Sequence, residues 1–279
     1  MHKFLRAIGF SDITKKDLEM ILDEVITRPE IMKITKDSEG NEFAELSGSF
    51  ATNAGITVRG TYQEDDSFHM DYYYPYVFGT SITTNEQIDV EKHAEKESYA
   101  GVCDEVNLGV TLIFYIQNVA DYLAETNRHL SKIHYGAMLA GLSTEGKILC
   151  PVVERKKNDV PAIQKNDRHN QLIAQAREGD EDAIESLTLE DMDTYALLSQ
   201  RVMKEDIFSI VKSTFMPFGI ESDQYTVLGE IIDCVTMENK LTHEKLYGMK
   251  LLCNNIQFDV CINEKDLLGE PAIGRRFRG

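Results

Sequence analysis

The pattern that most constrains the fold of this chain is a strict period-two alternation between residues 56 and 76. Apolar or small residues alternate with polar ones over positions 56–62 and again over positions 68–76, and an acidic segment at 64–67 separates the two runs. Such alternation is typical of strands with one buried face, and a connection this short joins antiparallel neighbours. The sequence therefore predicts a β-hairpin in the first third of the chain.

The alternation also predicts which face each aromatic residue occupies. Tyr72, Tyr74 and Tyr76 continue the series begun by Phe68 and Met70, so we expect the three phenols to line the core with their hydroxyl groups at its edge. Stacking of a sugar or a base on these rings is the alternative interpretation. We prefer burial, because a strand with one apolar face normally buries that face.

On the opposite face, the same alternation places His69, Asp71 and Tyr73, with successive side chains about 7 Å apart. An imidazole oriented by a carboxylate beside a phenol can transfer protons or bind a divalent metal ion. Two such ligands are too few for a stable metal site, so a solvated polar face is the alternative. A second pair with ligand spacing, His93 and Glu97, lies in a Glu/Lys-rich stretch that is typical of a solvated helix face or loop.

The charge of the chain narrows the classes of partner. Its 47 acidic and 29 basic residues give a net charge of −18, which repels phosphate backbones and anionic lipid surfaces. We therefore expect no nucleic-acid partner and no membrane partner. A basic cluster stands at the C-terminal end, where Arg275, Arg276 and Arg278 lie between glycines. These arginines either hold a phosphate or carboxylate group or pair with the protein's own acids.

The chain carries no known catalytic, cofactor or metal motif, so the sequence predicts no catalytic residue, no metal site and no cofactor. No apolar stretch approaches the ~20 residues of a membrane span, and the N-terminus lacks the features of a signal peptide. The cysteines are dispersed and none forms a C-x-x-C pair, which favours reduced thiols that serve as small buried hydrophobic residues: Cys103, Cys150, Cys234, Cys253 and Cys261. We expect a cytoplasmic protein.

Periodicity and turn signals predict the remaining elements. A helix begins at a capping box around Thr14 and Asp17 and extends to residue 26. We further expect a helix at 107–123, a hairpin of 133–142 with 147–152, a charged linker at 154–169, helices between 171 and 215, and strands at 225–235, 246–253 and 256–262.

These elements predict an α+β fold made of a mainly antiparallel sheet with helices packed on it, a helical middle segment and a small C-terminal β-barrel-like unit. The corresponding domains are an N-terminal α+β unit at 1–155, a linker and helical segment at 156–222 and an antiparallel β unit at 223–279, or one composite of the three.

Three stretches of the sequence, residues 1–11, 113–118 and 269–277, resemble an uncharacterised bacterial family, a domain of unknown function. The similarity covers the whole chain. The family has no assigned activity, so the resemblance implies no catalytic residues. It does imply that the tail continues past Gly279 into one more apolar strand.

Two functions from different classes remain open. The leading hypothesis is a soluble, non-catalytic module that binds a protein or a small ligand, with the partner unknown and a homo-oligomer compatible with the sequence. The alternative is an enzyme or metal-binding protein that uses His69, Asp71 and Tyr73, with the C-terminal arginines as an anion clamp. A pocket that joins these groups would favour the alternative, and an exposed apolar patch would favour the binding module.

Overall fold

A computed structural model describes residues 2–93, 96–127, 136–151, 211–219 and 223–279, together with positions 172, 175, 180, 182, 183 and 185–188. Over these residues the chain is mostly sheet with few helices. Nearly all neighbouring strands pair antiparallel, as the sequence predicts. The chain divides into two compact units: one combines residues 1–150 with 215–279, and the other comprises residues 151–214.

The first sheet is a four-stranded antiparallel meander that follows one helix. Its strands run in chain order, and the third and fourth strands form the predicted hairpin, which is confirmed. The helix begins after the predicted capping box, in which Thr14 and Asp17 bond each other's backbone N–H groups. The elements are a 3-10 helix at Lys3–Ile8, α1 at Lys15–Thr27, β1 at Ile31–Lys36, β2 at Glu42–Ala51, β3 at Ala54–Tyr62 and β4 at Phe68–Val77.

The helix α1 and one face of the first sheet share a hydrophobic core. Leu22 and Val25 of the helix belong to the same buried cluster as Leu46 and Ile56 of the sheet. The helix approaches β2 so closely that a Cβ atom on Gly48 would lie 2.8 Å from a methyl carbon of Val25. A glycine at this position of β2 therefore permits the helix to pack.

The second sheet has three antiparallel strands and is followed by a short helix. Its elements are β5 at Asp89–Lys92, β6 at Tyr99–Glu105, β7 at Val110–Tyr115 and α2 at Val119–Asn127. The prediction of a helix over 107–123 is wrong in its first half. Within β7, Leu112 is buried and its neighbour Thr111 is exposed, so the apolar residues there follow a strand period, and the helical spacing to α2 is coincidental.

The third sheet has eight strands and contains the C-terminal part of the chain. Its strands are β8 at Ala140–Ser143, β9 at Gly146–Leu149, β10 at Thr214–Pro217, β11 at Tyr225–Glu238, β12 at Lys245–Cys253, β13 at Ile256–Asn263, β14 at Leu267–Leu268 and β15 at Arg276–Arg278. The strands predicted at 225–235, 246–253 and 256–262 are confirmed as β11, β12 and β13. Among the described residues the pairing order β14-β9-β15-β11-β12-β13-β8, with β10 paired to β11, does not close into a barrel, so the expected barrel-like unit is not confirmed.

The expected hairpin of 133–142 with 147–152 does not form among the described residues. The strand β8 pairs parallel with β13, whereas β9 pairs with β14 and β15 at the other end of the sheet. Only two residues join β8 to β9, so the two ends of the strand order lie close together in space. A turn signal alone does not distinguish this connection from a hairpin.

The middle of the chain is described at few positions. Residues 182, 183 and 185–188 are helical, whereas the predicted linker at 154–169 lies outside the described residues. Phe215, expected in the last helix of this region, lies in the strand β10. The strands from residue 225 onward belong to the same unit as residues 1–150.

The cysteines do not all share one environment. All five are free, and Cys103, Cys253 and Cys261 are buried as expected. The expectation of burial is wrong for Cys150, which is exposed just after β9, and Cys234 is half-buried on β11.

Candidate functional site

A β-bulge in β4 reverses the predicted sidedness of its aromatic residues. Arg59 of β3 pairs with Tyr72, and the next residue, Gly60, pairs with Met70, so Asp71 is the extra residue of the bulge. One extra residue in a period-two strand moves every later side chain to the opposite face. The phenols of Tyr72 and Tyr74 therefore lie on the face opposite the Phe68 side chain, and the prediction that they share its face is wrong.

The predicted His69, Asp71 and Tyr73 face is split by the same bulge. Tyr73 packs with Phe68 against the core beneath α1, and its hydroxyl oxygen accepts a hydrogen bond from the backbone nitrogen of His2 at 3.3 Å. His69 is exposed and pairs with Thr61 on the other face. The three side chains do not form a common face. Where the structure describes the chain, three or more His, Cys, Asp or Glu side chains nowhere converge in a way that could hold a metal ion.

The displaced tyrosines surround a buried arginine that the sequence analysis did not single out. Arg59 is 3 % exposed and lies on β3 beside the phenol rings. Every nitrogen of its guanidinium group donates to an acceptor: Nε to Glu45 at 3.0 Å, Nη1 to the Tyr72 hydroxyl at 2.9 Å, and Nη2 to the Tyr74 hydroxyl at 2.8 Å and to the carbonyl oxygens of Ile116 at 3.1 Å and Gln117 at 2.9 Å. The sole sequence signal for it is a cationic residue at an alternating position of a predicted strand.

The carboxylate of Glu45, on the adjacent strand β2, is the counter-ion of Arg59. Its Oε2 lies 2.9 Å from Nη2 of Arg59, and Glu45 also accepts a bond from the backbone of Ala120 in the first turn of α2. Burial raises the pKa of Glu45, against the lowering effect of Arg59, Lys33 and the helix backbone. The pair therefore connects two strands of the first sheet to the helix that covers them.

A second polar cluster continues from the first. The Tyr72 hydroxyl donates to the carbonyl oxygen of Glu97 at 2.7 Å, and the Glu97 side chain binds Lys92, Ser38 and Tyr99. Burial acts to raise the pKa of Glu97, but hydrogen bonds from Lys92, Ser38 and Tyr99 outweigh it and leave this pKa lowered. The expectation that Glu97 belongs to a solvated helix face or loop is wrong, because its side chain is buried against the second sheet.

These two clusters connect the first sheet to α2 and to the second sheet. The charged groups at their centres, Arg59, Glu45 and Glu97, are each at most 6 % exposed and already hold short hydrogen bonds to protein groups. A buried charge with satisfied partners contributes specific packing, and a ligand from solvent could not reach it without displacing those partners. We assign the clusters a structural role.

The C-terminal arginines occupy different environments. Arg276 is buried in β15, where Nε donates to the carbonyl oxygen of Cys150 at 2.9 Å and burial lowers the pKa of the side chain. Arg275 and Arg278 are exposed, and Nη1 of Arg275 donates to the carbonyl oxygen of Glu270 at 2.7 Å. These arginines lie in the third sheet or its loop, whereas His69 lies in the first sheet. The predicted anion site that combines the C-terminal arginines with His69 stays a prediction, because no helix, strand or loop carries both.

A surface groove of about 490 Å³ lies between α1 and the 239–244 turn that joins β11 to β12. Phe10, Ile13 and Ile21 form the more buried part of its lining. Met20 and Leu241 also line it and are 55 % and 51 % exposed. Large apolar side chains this exposed, on either side of a concave surface, are characteristic of binding sites.

One buried asparagine attaches the turn to the N-terminal segment and so forms the groove. Asn239 is fully buried, donates from Nδ2 to the carbonyl oxygen of Ile8 at 2.7 Å, and accepts from the backbone nitrogens of Leu241 and Thr242. The neighbouring Gly9 has a φ of +92°, and a Cβ atom there would lie 2.6 Å from the Cβ of Asn239. This position requires glycine both for its backbone conformation and for the close approach.

The groove is lined by four acidic residues and no basic one: Asp12, Asp17, Glu24 and Glu244. Glu244 is held by Lys265, Ser11 and Asn263, and these hydrogen bonds outweigh its burial and lower its pKa. Lys265 also reaches Asp12 at 3.2 Å. Glu24 also lines the groove, and its carboxylate forms no ion pair or hydrogen bond with another described side chain.

The groove was missed at the sequence level because its residues come from segments far apart in the chain. Residues 10–24 and 241–244 each look like ordinary helix and turn sequences. Long-range hydrogen bonds, from residues 239–242 to residues 8–9 and from Ser11 to Glu244, bring them together.

The fold is rich in sheet, and its surface carries a groove lined by acidic and apolar residues. Comparison with known families is consistent with the predicted resemblance. The profile of the family described as "Domain of unknown function, E. rectale Gene description (DUF3881)" matches residues 5–279, and the chain belongs to this family. No curated protein and no solved structure matches the chain. In the part of the chain that the structure covers, no helix has the length and apolar character needed to cross a membrane.

Proposed function

We propose that this chain is a non-catalytic binding module, and that its groove takes a polypeptide segment that carries both apolar and basic side chains. The observation that supports the proposal is the lining of the groove, which combines an apolar floor with four carboxylates and no base. Apolar anchors supply affinity, and opposite charge at the rim selects the partner and speeds its approach.

The shape of the groove favours a polypeptide over a small molecule. Small-ligand pockets bury most of their ligand, whereas this groove is open and has Met20 and Leu241 exposed at its edges. Methionine adapts its shape to different apolar partners, which suits a surface that binds a peptide. The net charge of −18 extends the attraction for basic segments beyond the groove itself.

The alternative function, an enzyme or metal-binding protein, loses the geometry on which it depended. Its three strand residues were to share one face, but the bulge at Asp71 separates Tyr73 from His69. The buried Arg59 cluster does not replace that site, because solvent does not reach it.

The proposal includes a cytoplasmic location. The exposed thiol of Cys150 and the half-buried thiol of Cys234 are both free. Free accessible thiols persist in a reducing compartment. The acidic surface suits the same compartment, where a high net charge maintains solubility.

Binding of two labelled amphipathic peptides by fluorescence anisotropy tests the proposal. One peptide consists of leucine and lysine, the other of leucine and glutamate in the same order. We expect the protein to bind the lysine peptide, and we expect Glu24→Lys to weaken that binding. Asp23→Lys is the matched control, because Asp23 is exposed on the same helix and does not line the groove.

Glu24→Lys and Asp23→Lys change the net charge by the same amount. A comparison of the two therefore distinguishes binding in the groove from attraction to the total charge of the protein. Equal weakening by both variants would show that the peptide responds only to total charge and would overturn the assignment of the groove. Unchanged binding to Glu24→Lys would do the same.

A further inference from the structure

The segment 268–275, here called the 268–275 loop, begins with the last residue of β14 and leads to β15. It carries the two most exposed large hydrophobic residues among the described positions. Ile273 is 70 % exposed and Leu268 is 64 % exposed. Arg275 lies at the end of the same loop and is also exposed. The loop therefore presents an apolar surface that carries two exposed charges, the cation of Arg275 and the carboxylate of Glu270.

This loop is held in one conformation by backbone hydrogen bonds. The Gly274 nitrogen donates to the Ile231 carbonyl at 2.8 Å, and the Ile231 nitrogen donates to the Arg275 carbonyl at 2.8 Å. Arg275 is further attached to the Glu270 carbonyl through Nη1. A preorganised loop loses little conformational freedom on binding, so its exposed residues are suited to docking.

The surface of the loop complements the groove in apolar character, and one of its two charges, that of Arg275, is opposite in sign to the carboxylates of the groove. Ile273 and Leu268 match the floor and the Met20 and Leu241 edges of the groove, and Arg275 matches the unpaired carboxylate of Glu24. We infer that the 268–275 loop of one copy docks in the groove of a second copy. This inference rests on the proposed function, since it names the segment that the groove takes.

The loop and the groove of one copy occupy different places along β11. The loop is bonded to Ile231 in the middle of the strand, whereas the turn that forms the groove begins at Asn239, just past its end, and no residue of the loop lines the groove. At about 3.3 Å per residue, roughly 25 Å of strand separates them. The contact is therefore between copies and joins unlike surfaces, which builds rings or open chains whose size grows with concentration.

Sedimentation velocity of the full chain tests the inference. At low ionic strength we expect wild-type protein to form oligomers as its concentration rises, and Ile273→Asp to abolish them. Arg275→Glu and Glu24→Lys should each weaken association by roughly fivefold or more. Lys36→Glu and Asp23→Lys, two exposed positions outside both surfaces, serve as charge-matched controls and should associate like wild type.

A mixture of the Arg275→Glu and Glu24→Lys variants gives the sharpest outcome. Each variant keeps one native surface, so a native loop can enter a native groove only between the two variants. We expect the mixture to associate more strongly than either variant alone. A wild-type protein that stays monomeric at every concentration, or oligomers that Ile273→Asp leaves intact, would overturn the inference.

The peptide experiment distinguishes this failure from that of the proposed function. If the lysine peptide binds through Glu24 while the protein stays monomeric, the groove is a binding site for a different polypeptide and only the inference fails. If the lysine peptide binds through Glu24 and the protein also self-associates, the peptide should dissociate the oligomers, because it competes with the loop for the same groove.

Discussion

Arg59 and Glu45 form a buried ion pair on neighbouring strands, with Nη2 of Arg59 2.9 Å from Oε2 of Glu45 and both side chains at most 7 % exposed. The pair lies on the face of the first sheet that β-strand alternation would assign to solvent. It is completed by the hydroxyl groups of Tyr72 and Tyr74, which reach it because the bulge at Asp71 turns them to that face.

Removal of the buried cation should be strongly destabilising. We expect Arg59→Met to lower the free energy of unfolding by about 3–5 kcal/mol, because Glu45 would be left as an uncompensated buried charge. The double variant Arg59→Met, Glu45→Leu should recover most of that loss, since apolar replacement of both partners removes the charge. Urea unfolding measures both. A single variant as stable as wild type would contradict the role assigned to the pair.

Deletion of Asp71 should leave the faces of the hairpin unchanged. The pairs on either side of the bulge, Gly60 with Met70 and Arg59 with Tyr72, become adjacent when the unpaired residue is removed, so Tyr72 and Tyr74 stay beside Arg59. We therefore expect the deletion to change the free energy of unfolding by less than about 1 kcal/mol. Thermal unfolding of the deletion variant beside wild type tests this, and a loss as large as that of Arg59→Met would contradict the assigned register.

The lowered pKa of Glu97 makes part of the stability dependent on pH. A carboxyl group with a folded-state pKa below its unfolded value stabilises the protein above the unfolded pKa of about 4.3. That contribution is lost as the pH falls through the lower folded-state pKa. We expect Glu97→Gln to be less stable than wild type at neutral pH, with the difference shrinking in acid.

Urea unfolding midpoints measured from neutral pH into this acidic range test the Glu97 prediction. Glu39→Gln, a matched change on the exposed turn beside Ser38, should follow the wild-type curve. A Glu97→Gln difference that stays constant over the whole range would indicate that the carboxylate charge does not contribute.

Two glycines with the same backbone angle separate conformational strain from steric contact. Gly9 and Gly40 both have a φ of +92°, but only Gly9 is in close contact, with Asn239, and nothing lies near a Cβ atom on Gly40. We expect Gly40→Ala to cost about 1–2 kcal/mol from the left-handed backbone alone, and Gly9→Ala to cost more. Gly9→Ala should also weaken the lysine peptide, because it displaces the wall of the groove.

Thermal unfolding of the two alanine variants compares the glycines directly. Equal losses of stability in the two variants would mean that the contact between residue 9 and Asn239 does not contribute to stability. Lysine-peptide binding by Gly9→Ala as strong as that of wild type would show that the groove does not depend on this contact.

The cysteines should differ in reactivity according to their environments. Burial raises the pKa of Cys103 to about 11 and that of Cys261 to about 12, so both thiols should stay protonated and unreactive in the folded protein. Cys150 is exposed and should react first with an aromatic disulfide reagent at neutral pH. Counting the thiols modified before and after urea, and in Cys150→Ser, checks the order. Rapid native reaction that persists in Cys150→Ser would contradict it.

Several elements could be predicted from local sequence. The hairpin of β3 and β4, the capping box of α1 and the three C-terminal strands all formed where periodicity and turn residues placed them. The errors occurred where two structures share one pattern. The apolar residues of β7 and α2 fit a single helical stripe, and the turn after β8 fits a hairpin although its strands pair elsewhere.

By itself the sequence determined the strand-rich character of the chain, its first helix and its acidic charge, because these depend on composition and on the spacing of near neighbours. The tertiary structure decided which face each tyrosine occupies, since a bulge is defined by the register against Arg59 on the adjacent strand. It also decided where an acidic apolar groove exists, because Gly9 and Asn239 meet only in the folded protein. The face that a side chain occupies and the position of a groove depend on such long-range pairings, which the periodicity of a local sequence does not specify.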